Sequence, residues 1–413
     1  MHPAMNHEEK SNLGKSLGLM GLCGLLLFLL TDPFQKAGAA PDCNAPLQCG
    51  ADRTEAYFPM LEGKRFAVVV NQTSVIAAPG SDGASPYVHL VDSLCSAGLK
   101  PEFIFTPEHG LRGTADAGQA VSDDVDSRTG LSIVSLYGKN RKPTPAQMQG
   151  LDAVVFDLQD VGCRFYTYLS TLHYVMEACE ENGVELMVLD RPNPNDTVDG
   201  PVLKEGFHSF VGMHPVPVLH GCTLGEMARM ISGEGWTAPS LRLTVIPVNG
   251  WKHGQPYPLP VAPSPNLPTD RAVRLYPSLC LFEGTVISVG RGTATPFEVI
   301  GAPDARFGRF TFTPQPTPGA STPLYEGQCC YGCPLSDTVP ACRFSLEFLY
   351  EMYRRSGMGE KFFNRARFFD LLAGSDALRC LMLSGYTPEV IRRSWQEDLS
   401  AYRRMREKYL IYE

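Results

Sequence analysis

Residues 102–113 read EFIFTPEHGLRG, and this stretch decides the class of fold. The apolar segment from Glu102 to Phe105 is typical of a short buried strand. Turn-forming residues follow it at once, and they include the carboxylate of Glu108 and the imidazole of His109. Ligands of open α/β sheets bind at the carboxyl ends of strands. The stretch therefore predicts an α/β protein with reactive side chains at a strand end.

The surrounding sequence alternates between strand-like and helix-like segments. Thr223 and Glu226 have the spacing of a capping box at one helix start. This alternation favours a parallel sheet covered by helices on both faces. The predicted strands are 65–70, 102–105, 153–156, 185–189 and 241–248, and the predicted helices are 87–97, 166–181 and 223–232.

A proline-rich segment, 254–268, separates this region from one with a different pattern. We expect a Rossmann-type domain over 40–262 and a smaller α+β domain over 263–413. In the second domain, Thr387 is the predicted cap of the last helix, and 313–322 is predicted to be an exposed loop. Its predicted strands are 286–289 and 309–313, and its predicted helices are 344–355 and 388–409.

The first 39 residues have the order of a secretory signal peptide. Lys10 and Lys15 precede the apolar run 17–30, and small residues at 37–39 offer a cleavage site. We expect an exported protein, periplasmic or secreted, with no stable membrane association once the signal is removed. The alternative is an uncleaved membrane anchor, although the run is short for a bilayer span.

The net charge and the cysteine content bear on two further questions, whether the protein binds nucleic acid and whether it contains disulfides or a zinc site. The net charge of −8 argues against a nucleic-acid partner, which would need a basic patch. The chain has 13 cysteines, and in an exported protein some of them pair. Cys43 and Cys49 suit a local disulfide. A structural disulfide is favoured over a zinc site for the later group, Cys329, Cys330, Cys333 and Cys342.

Polar clusters follow four strands of the predicted sheet, at 71–74, 108–110, 157–164 and 190–195. The carboxyl ends of parallel strands lie along one edge, so the clusters are expected to converge. For Glu108 a direct chemical role is favoured, with His109 orienting it or contacting substrate. Asp160 and Arg164, four residues apart, suit an ion pair as well as catalysis. Asp190 suits a structural or a binding role.

The second domain adds two dense polar stretches, 263–269 and 283–303. Glycines on both sides of Arg291 suggest either close approach to a ligand or a strained turn. The segment after the first strand is Asn-Gln-Thr-Ser rather than a glycine-rich dinucleotide fingerprint, so nucleotide binding is disfavoured. A nucleophile-elbow motif is also absent from the sequence. No cofactor and no metal are predicted.

Six stretches together resemble the exo-β-N-acetylmuramidases of the NamZ type, also known as DUF1343 and glycoside hydrolase family 171. In order they are 71–74 (NQTS), 107–110 (PEHG), 135–138 (SLYG), 156–168 (FDLQDVGCRFYTY), 189–194 (LDRPNP) and 290–303 (GRGTATPFEVIGAP). The resemblance covers roughly residues 60 to 335. It implies a Rossmann-like domain, a smaller C-terminal domain and an active site in the cleft between them.

The resemblance also implies an activity, the release of terminal β-1,4-linked N-acetylmuramic acid from the non-reducing ends of peptidoglycan fragments. Glu108 matches the glutamate proposed as catalytic in the family, and His109 and Asp160 complete the predicted catalytic group. The predicted substrate-binding residues are Asn71, Arg164, Tyr166, Tyr168, Asp190, Arg191, Asn193, Asn266, Glu283, Arg291 and Glu298.

Glycoside hydrolysis usually requires two carboxyl groups. Glu108 is the first, and the candidates for the second are Asp160, Glu283 and Glu298. Substrate assistance by the acetamido group is an alternative. The lactyl carboxylate of muramic acid would suit a paired arginine contact, for which the candidates are Arg164, Arg191 and Arg291. Tyr166 and Tyr168 are candidates for stacking on the sugar.

Two rival functions stay open from the sequence. The α/β layout also suits a non-catalytic exported protein that binds muropeptides or sugars. A metal-dependent hydrolase built on His109, Asp160 and a cysteine is the weaker rival. The oligomeric state is not predicted.

Overall fold

A seven-stranded sheet forms the centre of the computed structural model, which describes residues 46–78, 86–108, 110–111, 124–237, 240–335 and 344–413. The strands in the described residues are β1 (Phe66–Val70), β2 (Val75–Ala77), β3 (Tyr87–His89), β4 (Ile104–Thr106), β5 (Asp124–Val125), β6 (Ser132–Ser135), β7 (Ala153–Asp157), β8 (Glu185–Leu189), β9 (Val198–Val202), β10 (Pro217–His220), β11 (Leu243–Ile246), β12 (Val299–Ala302), β13 (Phe310–Phe312) and β14 (Cys330–Pro334).

The strand order of the sheet is β11-β8-β7-β1-β4-β6-β5. All pairs are parallel except β5 with β6 at one edge. Every residue of β1 and of β7 is buried, because helices cover both faces of a parallel sheet. In register, Val69 of β1 lies beside Phe105 of β4 and Phe156 of β7. The carboxyl ends of these strands therefore meet at one edge, as predicted.

Eleven α-helices occur in the described residues, and those of the first half pack on this sheet. Thr223 caps α5 through the predicted capping box with Glu226. The helices are α1 (Thr54–Leu61), α2 (Leu90–Ser96), α3 (Pro145–Met148), α4 (Tyr168–Glu181), α5 (Leu224–Gly233), α6 (Asp270–Leu279), α7 (Glu347–Ser356), α8 (Ala366–Ala373), α9 (Ala377–Leu383), α10 (Pro388–Arg393) and α11 (Gln396–Arg406).

The five predicted strands of the sheet are confirmed as β1, β4, β7, β8 and β11, within a few residues at each end. The predicted helix over 87–97 is wrong in its first turn. Residues Tyr87–His89 instead pair with β2 as a short antiparallel strand. Helix α2 begins only at Leu90, where the ring of His89 accepts a hydrogen bond from the backbone N–H of Val91.

The second half contains the expected α+β structure around an antiparallel sheet of order β12-β14-β13. The predicted strand over 286–289 is wrong, because Ser288 forms only an isolated bridge with Gly301. The predicted helix over 388–409 is divided into α10 and α11. Trp395 leaves helical geometry there and packs against Phe344, with ring centroids 6.1 Å apart. Thr387 precedes α10 but makes no side-chain cap hydrogen bond.

The described residues of both halves belong to one compact unit. The domain boundary at 262/263 stays a prediction, and the predicted signal peptide lies outside the described residues. Within the described part of the chain, no helix is both long and apolar enough to cross a membrane.

Candidate active site

A cavity of about 770 Å³ is bordered by residues from both halves of the chain. The first half contributes Glu108, Tyr137 and Thr167 from the carboxyl edge of the sheet. The second half contributes Glu283 and Arg291. The cavity therefore brings two carboxylates to one concave site, as the chemistry of glycoside hydrolysis requires.

Glu108 lies just beyond the end of β4 and is half-buried. The hydroxyl of Thr167 donates a hydrogen bond to Oε2 of Glu108 at 2.7 Å. The hydroxyl of Tyr137 donates to the same carboxylate, and the pKa of Tyr137 is raised by burial and by the charge and hydrogen bond of Glu108. Two neutral donors thus hold the Glu108 side chain. The predicted partner His109 lies outside the described residues.

Sheet topology explains why these two donors reach Glu108. Tyr137 follows β6, which is the direct neighbour of β4, with Ser135 opposite Thr106 in the register. Thr167 immediately precedes α4, the helix that follows β7. Three chain segments separated in sequence therefore converge because their strands share one sheet edge.

On the side of the cavity formed by the second half, Glu283 is paired with Arg291. Nη2 of Arg291 donates to Oε1 of Glu283 at 2.6 Å, and Nε donates to the same oxygen at 3.3 Å. Burial lowers the pKa of Arg291, but the Glu283 charge and hydrogen bond outweigh it and the net pKa is raised. The guanidinium also lies 5.1 Å from the Phe297 ring centroid. Arg291 is therefore engaged by the protein itself.

The glycines around Arg291 have backbone conformations that favour glycine. Gly290 has φ 76° and Gly292 has φ 79°. A Cβ on Gly292 would lie 2.5 Å from the carbonyl oxygen of Gln315. The turn needs glycine for both reasons, and it carries Arg291 to the cavity border.

Glu108 and Glu283 act electrostatically on the same groups. Both carboxylates raise the pKa of Tyr137, although burial is the largest cause. Both also raise the pKa of the buried Cys280 thiol, again after burial. Cys280 borders the cavity, but its raised pKa makes it unsuited to act as a nucleophile.

The other two candidates for the second carboxyl group do not border the cavity. Oδ2 of Asp160 accepts a hydrogen bond from the backbone N–H of Gly162 at 2.6 Å and lies 3.6 Å from His220. Glu298 accepts hydrogen bonds from the Thr269 hydroxyl and from Arg271. Both carboxylates serve internal contacts. Of the three candidates for the second carboxyl group, only Glu283 borders the same cavity as Glu108.

Arg191 and Asp190, both predicted to bind substrate, are buried in internal networks. Arg191 donates to both oxygens of Asp157, at 2.6 and 2.9 Å. Burial opposes the charge of Arg191, but Asp157 outweighs it and raises the pKa of the guanidinium. Asp190 accepts hydrogen bonds from the hydroxyls of Thr223 and Tyr412, at 2.6 Å each. These side chains hold the strand ends together and do not border the cavity.

The predicted ligands Asn71, Asn193 and Tyr168 also have internal partners. Nδ2 of Asn71 donates to the Tyr168 hydroxyl at 2.6 Å. Nδ2 of Asn193 donates to the carbonyl of Cys222 at 3.0 Å. Tyr166 differs, because it borders the cavity while its hydroxyl donates to Pro263 at 2.9 Å. Of the two predicted tyrosines, Tyr166 is therefore the one placed to contact a sugar.

Arg164 is a buried guanidinium that connects the two halves of the chain. Nη1 donates to the carbonyls of Pro201 and Val216, and Nη2 donates to the carbonyl of Leu372 in α8. Burial lowers the pKa of Arg164 to about 9. The side chain has no access to the cavity, so the prediction that it binds the substrate carboxylate receives no support from its position.

Several cavity residues carried no chemical assignment from the sequence. Tyr137 and Thr167 lie within the motif stretches, but nothing in their spacing marked them as partners of Glu108. The segment 319–322, within the predicted exposed loop, borders the cavity. Asn266, which was predicted to bind substrate and does border the cavity, donates to the carbonyl of Gly319 in that loop at 2.7 Å. Only the folded chain reveals such contacts, because they join residues distant in sequence.

The cysteine predictions fall only partly within the described residues. Cys49 is free, and its sulfur lies 3.4 Å from the Tyr257 hydroxyl. Cys329, Cys330 and Cys333 are also free. Cys43 and Cys342 lie outside the described residues. Within the part of the chain that the structure describes, no group of three or more His, Cys, Asp or Glu side chains could hold a metal ion.

Comparisons with known proteins identify relatives that cover most of this chain. The peptidoglycan beta-N-acetylmuramidase NamZ of Bacillus subtilis (strain 168) is 36% identical over 420 residues, which is 95% of this chain and 98% of that protein. A crystal structure of a DUF1343 family protein from Bacteroides fragilis NCTC 9343 has a TM-score of 0.80 and 40% identity. A second from the same organism has a TM-score of 0.76 and 29% identity. Each covers 89% of this chain and 99% of its own.

Two family profiles match nearly the whole described chain. The N-terminal profile of the exo-beta-N-acetylmuramidase NamZ family matches residues 66–271, and the C-terminal profile matches 274–412. Both halves of the cavity lie within these matches, Glu108 in the first and Glu283 in the second. The chain belongs to the NamZ family of exo-β-N-acetylmuramidases.

Proposed function

We propose that this chain is an exo-acting glycoside hydrolase that releases terminal β-1,4-linked N-acetylmuramic acid from the non-reducing ends of peptidoglycan fragments. The observation that supports it most is the placement of Glu108 in the cavity, held by Thr167 and Tyr137 and sharing the site with Glu283. The similarity to a peptidoglycan beta-N-acetylmuramidase supplies the substrate class.

Glu108 acts as the general acid in this proposal. As the bond between the anomeric carbon and the glycosidic oxygen breaks, the Glu108 carboxyl transfers its proton to that oxygen, which leaves as the hydroxyl of the departing sugar. A water molecule supplies the hydroxyl added to the anomeric carbon. The proton released from the water ends on the Glu108 carboxylate, which restores the acid, so the net reaction is hydrolysis.

Glu283 is the proposed second carboxyl group. Its pairing with Arg291 fixes one oxygen, Oε1, in a defined position. A carboxylate held in this way is suited to stabilise positive charge that develops on the sugar ring in the transition state. It equally suits orientation of the substrate acetamido group, if that group assists the reaction.

The direct test is incubation of the protein with the MurNAc–GlcNAc disaccharide and detection of free MurNAc by mass spectrometry. Glu108→Gln should lower the rate by about two or more orders of magnitude. Glu102→Gln is a matched control, because Glu102 belongs to the same stretch but is exposed and pairs with Arg65. Intact disaccharide after incubation with folded wild-type protein would overturn the proposal and would favour a binding protein instead.

Export is part of the proposal, because the substrate lies outside the cytoplasm. It is supported by the order of basic residues, apolar run and small residues in the first 39 positions. Expression of the full chain in a bacterial host, followed by N-terminal sequencing of the product, tests it. A mature chain beginning near residue 40 is expected, and an intact N-terminus in the cytosolic fraction would contradict it.

A further inference from the structure

The cavity is bordered by two arginines, Arg141 and Arg365, that pair with no carboxylate among the described residues. Both side chains are exposed. The three arginines that the sequence offered for substrate binding have other contacts. Arg164 and Arg191 are buried within the protein, and Arg291 is paired with Glu283. The arginines available to bind an anionic substrate are therefore Arg141 and Arg365.

Arg141 lies on an aromatic platform beside Glu108. Its guanidinium carbon is 4.4 Å from the ring centroid of Phe210. The Phe210 ring packs against Tyr137 at 5.8 Å and stacks on Tyr174 at 6.2 Å. Stacking on a ring occupies the face of a guanidinium and leaves its edge N–H groups available for a bidentate contact with a carboxylate.

The platform is anchored to the scaffold. The hydroxyl of Ser170, in α4, donates to the carbonyl of Phe210 at 2.7 Å. Arg141 acts as a nearby positive charge on the Tyr137 hydroxyl, the same hydroxyl that donates to Glu108. Arg141 is therefore close to the carboxyl group that addresses the glycosidic bond.

Arg365 borders the cavity next to Glu283. Its Nη1 lies 3.5 Å from the Glu283 carbonyl oxygen, and its guanidinium carbon is 4.4 Å from the Phe368 ring centroid. It has the same chemistry as Arg141 and a similar aromatic support, but it belongs to the Glu283 side. This makes Arg365 a matched comparison for Arg141.

We propose that Arg141 binds the carboxylate of the lactyl ether on the sugar cleaved at Glu108, and that it thereby selects muramic acid over glucosamine. The inference rests on the proposed function, since it names the group that recognises the substrate of that same site. Arg141 is a specificity residue in this assignment and takes no part in proton transfer.

The test compares three substrates with the same leaving group. One carries N-acetylmuramic acid, one its lactyl amide, and one N-acetylglucosamine. Arg141→Met should lower kcat/KM for the acid by about 10- to 100-fold, the range for a hydrogen bond to a charged group. The loss should appear mainly in KM, while the amide and glucosamine substrates change by less than about threefold. Arg141→Lys should recover part of the loss, because it restores charge without the paired geometry.

Arg365→Met should leave the preference for the acid within about threefold of wild type. Loss of the preference in Arg365→Met and not in Arg141→Met would overturn the assignment. Equal losses of Arg141→Met on all three substrates would also overturn it, because they would indicate a general structural role. Thermal unfolding of each variant confirms that the folded protein is compared.

A binding measurement separates this inference from the proposed function. Calorimetric titration of wild type and Arg141→Met with MurNAc and with GlcNAc monosaccharides requires no turnover. If wild type fails to hydrolyse any substrate but prefers MurNAc through Arg141, the proposed reaction fails and the recognition site stands. If wild type hydrolyses the disaccharide and Arg141→Met keeps full preference for MurNAc, the recognition site fails and the reaction stands.

Discussion

Thr167 donates its hydroxyl to Oε2 of Glu108 at 2.7 Å, and it is also the residue from which helix α4 starts. Its side chain thus contacts the proposed acid, while its backbone is fixed by the helix that covers the central sheet. Tyr137 completes the arrangement from the neighbouring strand end. The position of the Glu108 carboxyl group is therefore set by the rigid scaffold.

Removal of the Thr167 hydroxyl is expected to slow the reaction while leaving substrate binding intact. Thr167→Val should lower kcat by about 10-fold, because one hydrogen bond that positions the Glu108 carboxyl group is lost, and KM should change little. Thr167→Ser keeps the hydroxyl and should retain most of the activity. Steady-state kinetics on the disaccharide measure both. A Val variant with wild-type kcat would mean that this hydrogen bond does not position Glu108.

The choice of second carboxyl group can be decided by three amide substitutions. Glu283→Gln should lower kcat by about two orders of magnitude or more, as expected for a carboxyl group that acts in the transition state. Asp160→Asn and Glu298→Gln should keep kcat near the wild-type value, because neither side chain borders the cavity. Kinetics and unfolding midpoints are measured on all three. Activity that survives in Glu283→Gln and disappears in Asp160→Asn would reverse the assignment.

Arg191 is expected to matter for stability and not for substrate affinity. Arg191→Met leaves the buried Asp157 without its bidentate partner, which costs about 3–5 kcal/mol of unfolding free energy. Urea unfolding measures this loss. The double variant with Asp157→Asn should recover part of it, because the uncompensated charge is gone. A stable Arg191→Met protein with a raised KM would instead place Arg191 in substrate binding.

His253 gives the fold a predictable pH dependence. Its Nδ1 lies 2.9 Å from Asp196 and its Nε2 lies 2.9 Å from Glu226. Burial disfavours the imidazolium and Arg406 lies beside the ring, but the hydrogen bonds and charges of the two carboxylates prevail and raise the pKa of His253 to about 9. The folded state therefore binds this proton more tightly than the unfolded chain does.

The stabilisation from His253 is complete below its unfolded pKa of about 6.5 and is lost as the pH rises to about 9. Its size is on the order of 2–3 kcal/mol once solvent screening is allowed for. Unfolding free energies between pH 6 and pH 9.5 should fall more steeply for wild type than for His253→Gln. Parallel curves for the two proteins would show that His253 titrates alike in both states.

The sequence predicted five of the seven strands of the sheet and the edge at which Glu108 lies, but it did not predict β5 and β6. Continuous apolar runs such as Phe66–Val70 are typical of strands buried between two helical layers, and their alternation with helix-like segments predicted a parallel sheet. The polar residues that follow those strands predicted that Glu108 lies at the sheet edge. The sequence pattern was misleading where tertiary packing determines the local structure. The single helix predicted over 388–409 is interrupted at Trp395, which is buried against Phe344.

The site residues were also predicted only in part from the sequence. Strand-end position predicted which side chains converge, but not which of them point into the cavity and which are used internally. Asp190, Arg191 and Arg164 have the residue types of ligand binders, yet each is buried with protein partners. Arg141 had no local signal, because the aromatic platform beneath it comes from Phe210, far along the chain. The charge and sequence spacing of a residue do not predict which other residues its side chain contacts in the folded protein.

The hydrogen bond from Tyr412 to Asp190 joins residues 222 positions apart, at the carboxyl end of β8. Until Tyr412 arrives, this buried carboxylate lacks one of the donors that compensate its burial. Contacts of such long sequence separation slow folding, because a large loop must close first. A chain emerging from a ribosome or a translocation channel would therefore hold β8 and its neighbours in an incompletely stabilised state until Tyr412 is free. That delay would expose the chain to proteases until the contact forms.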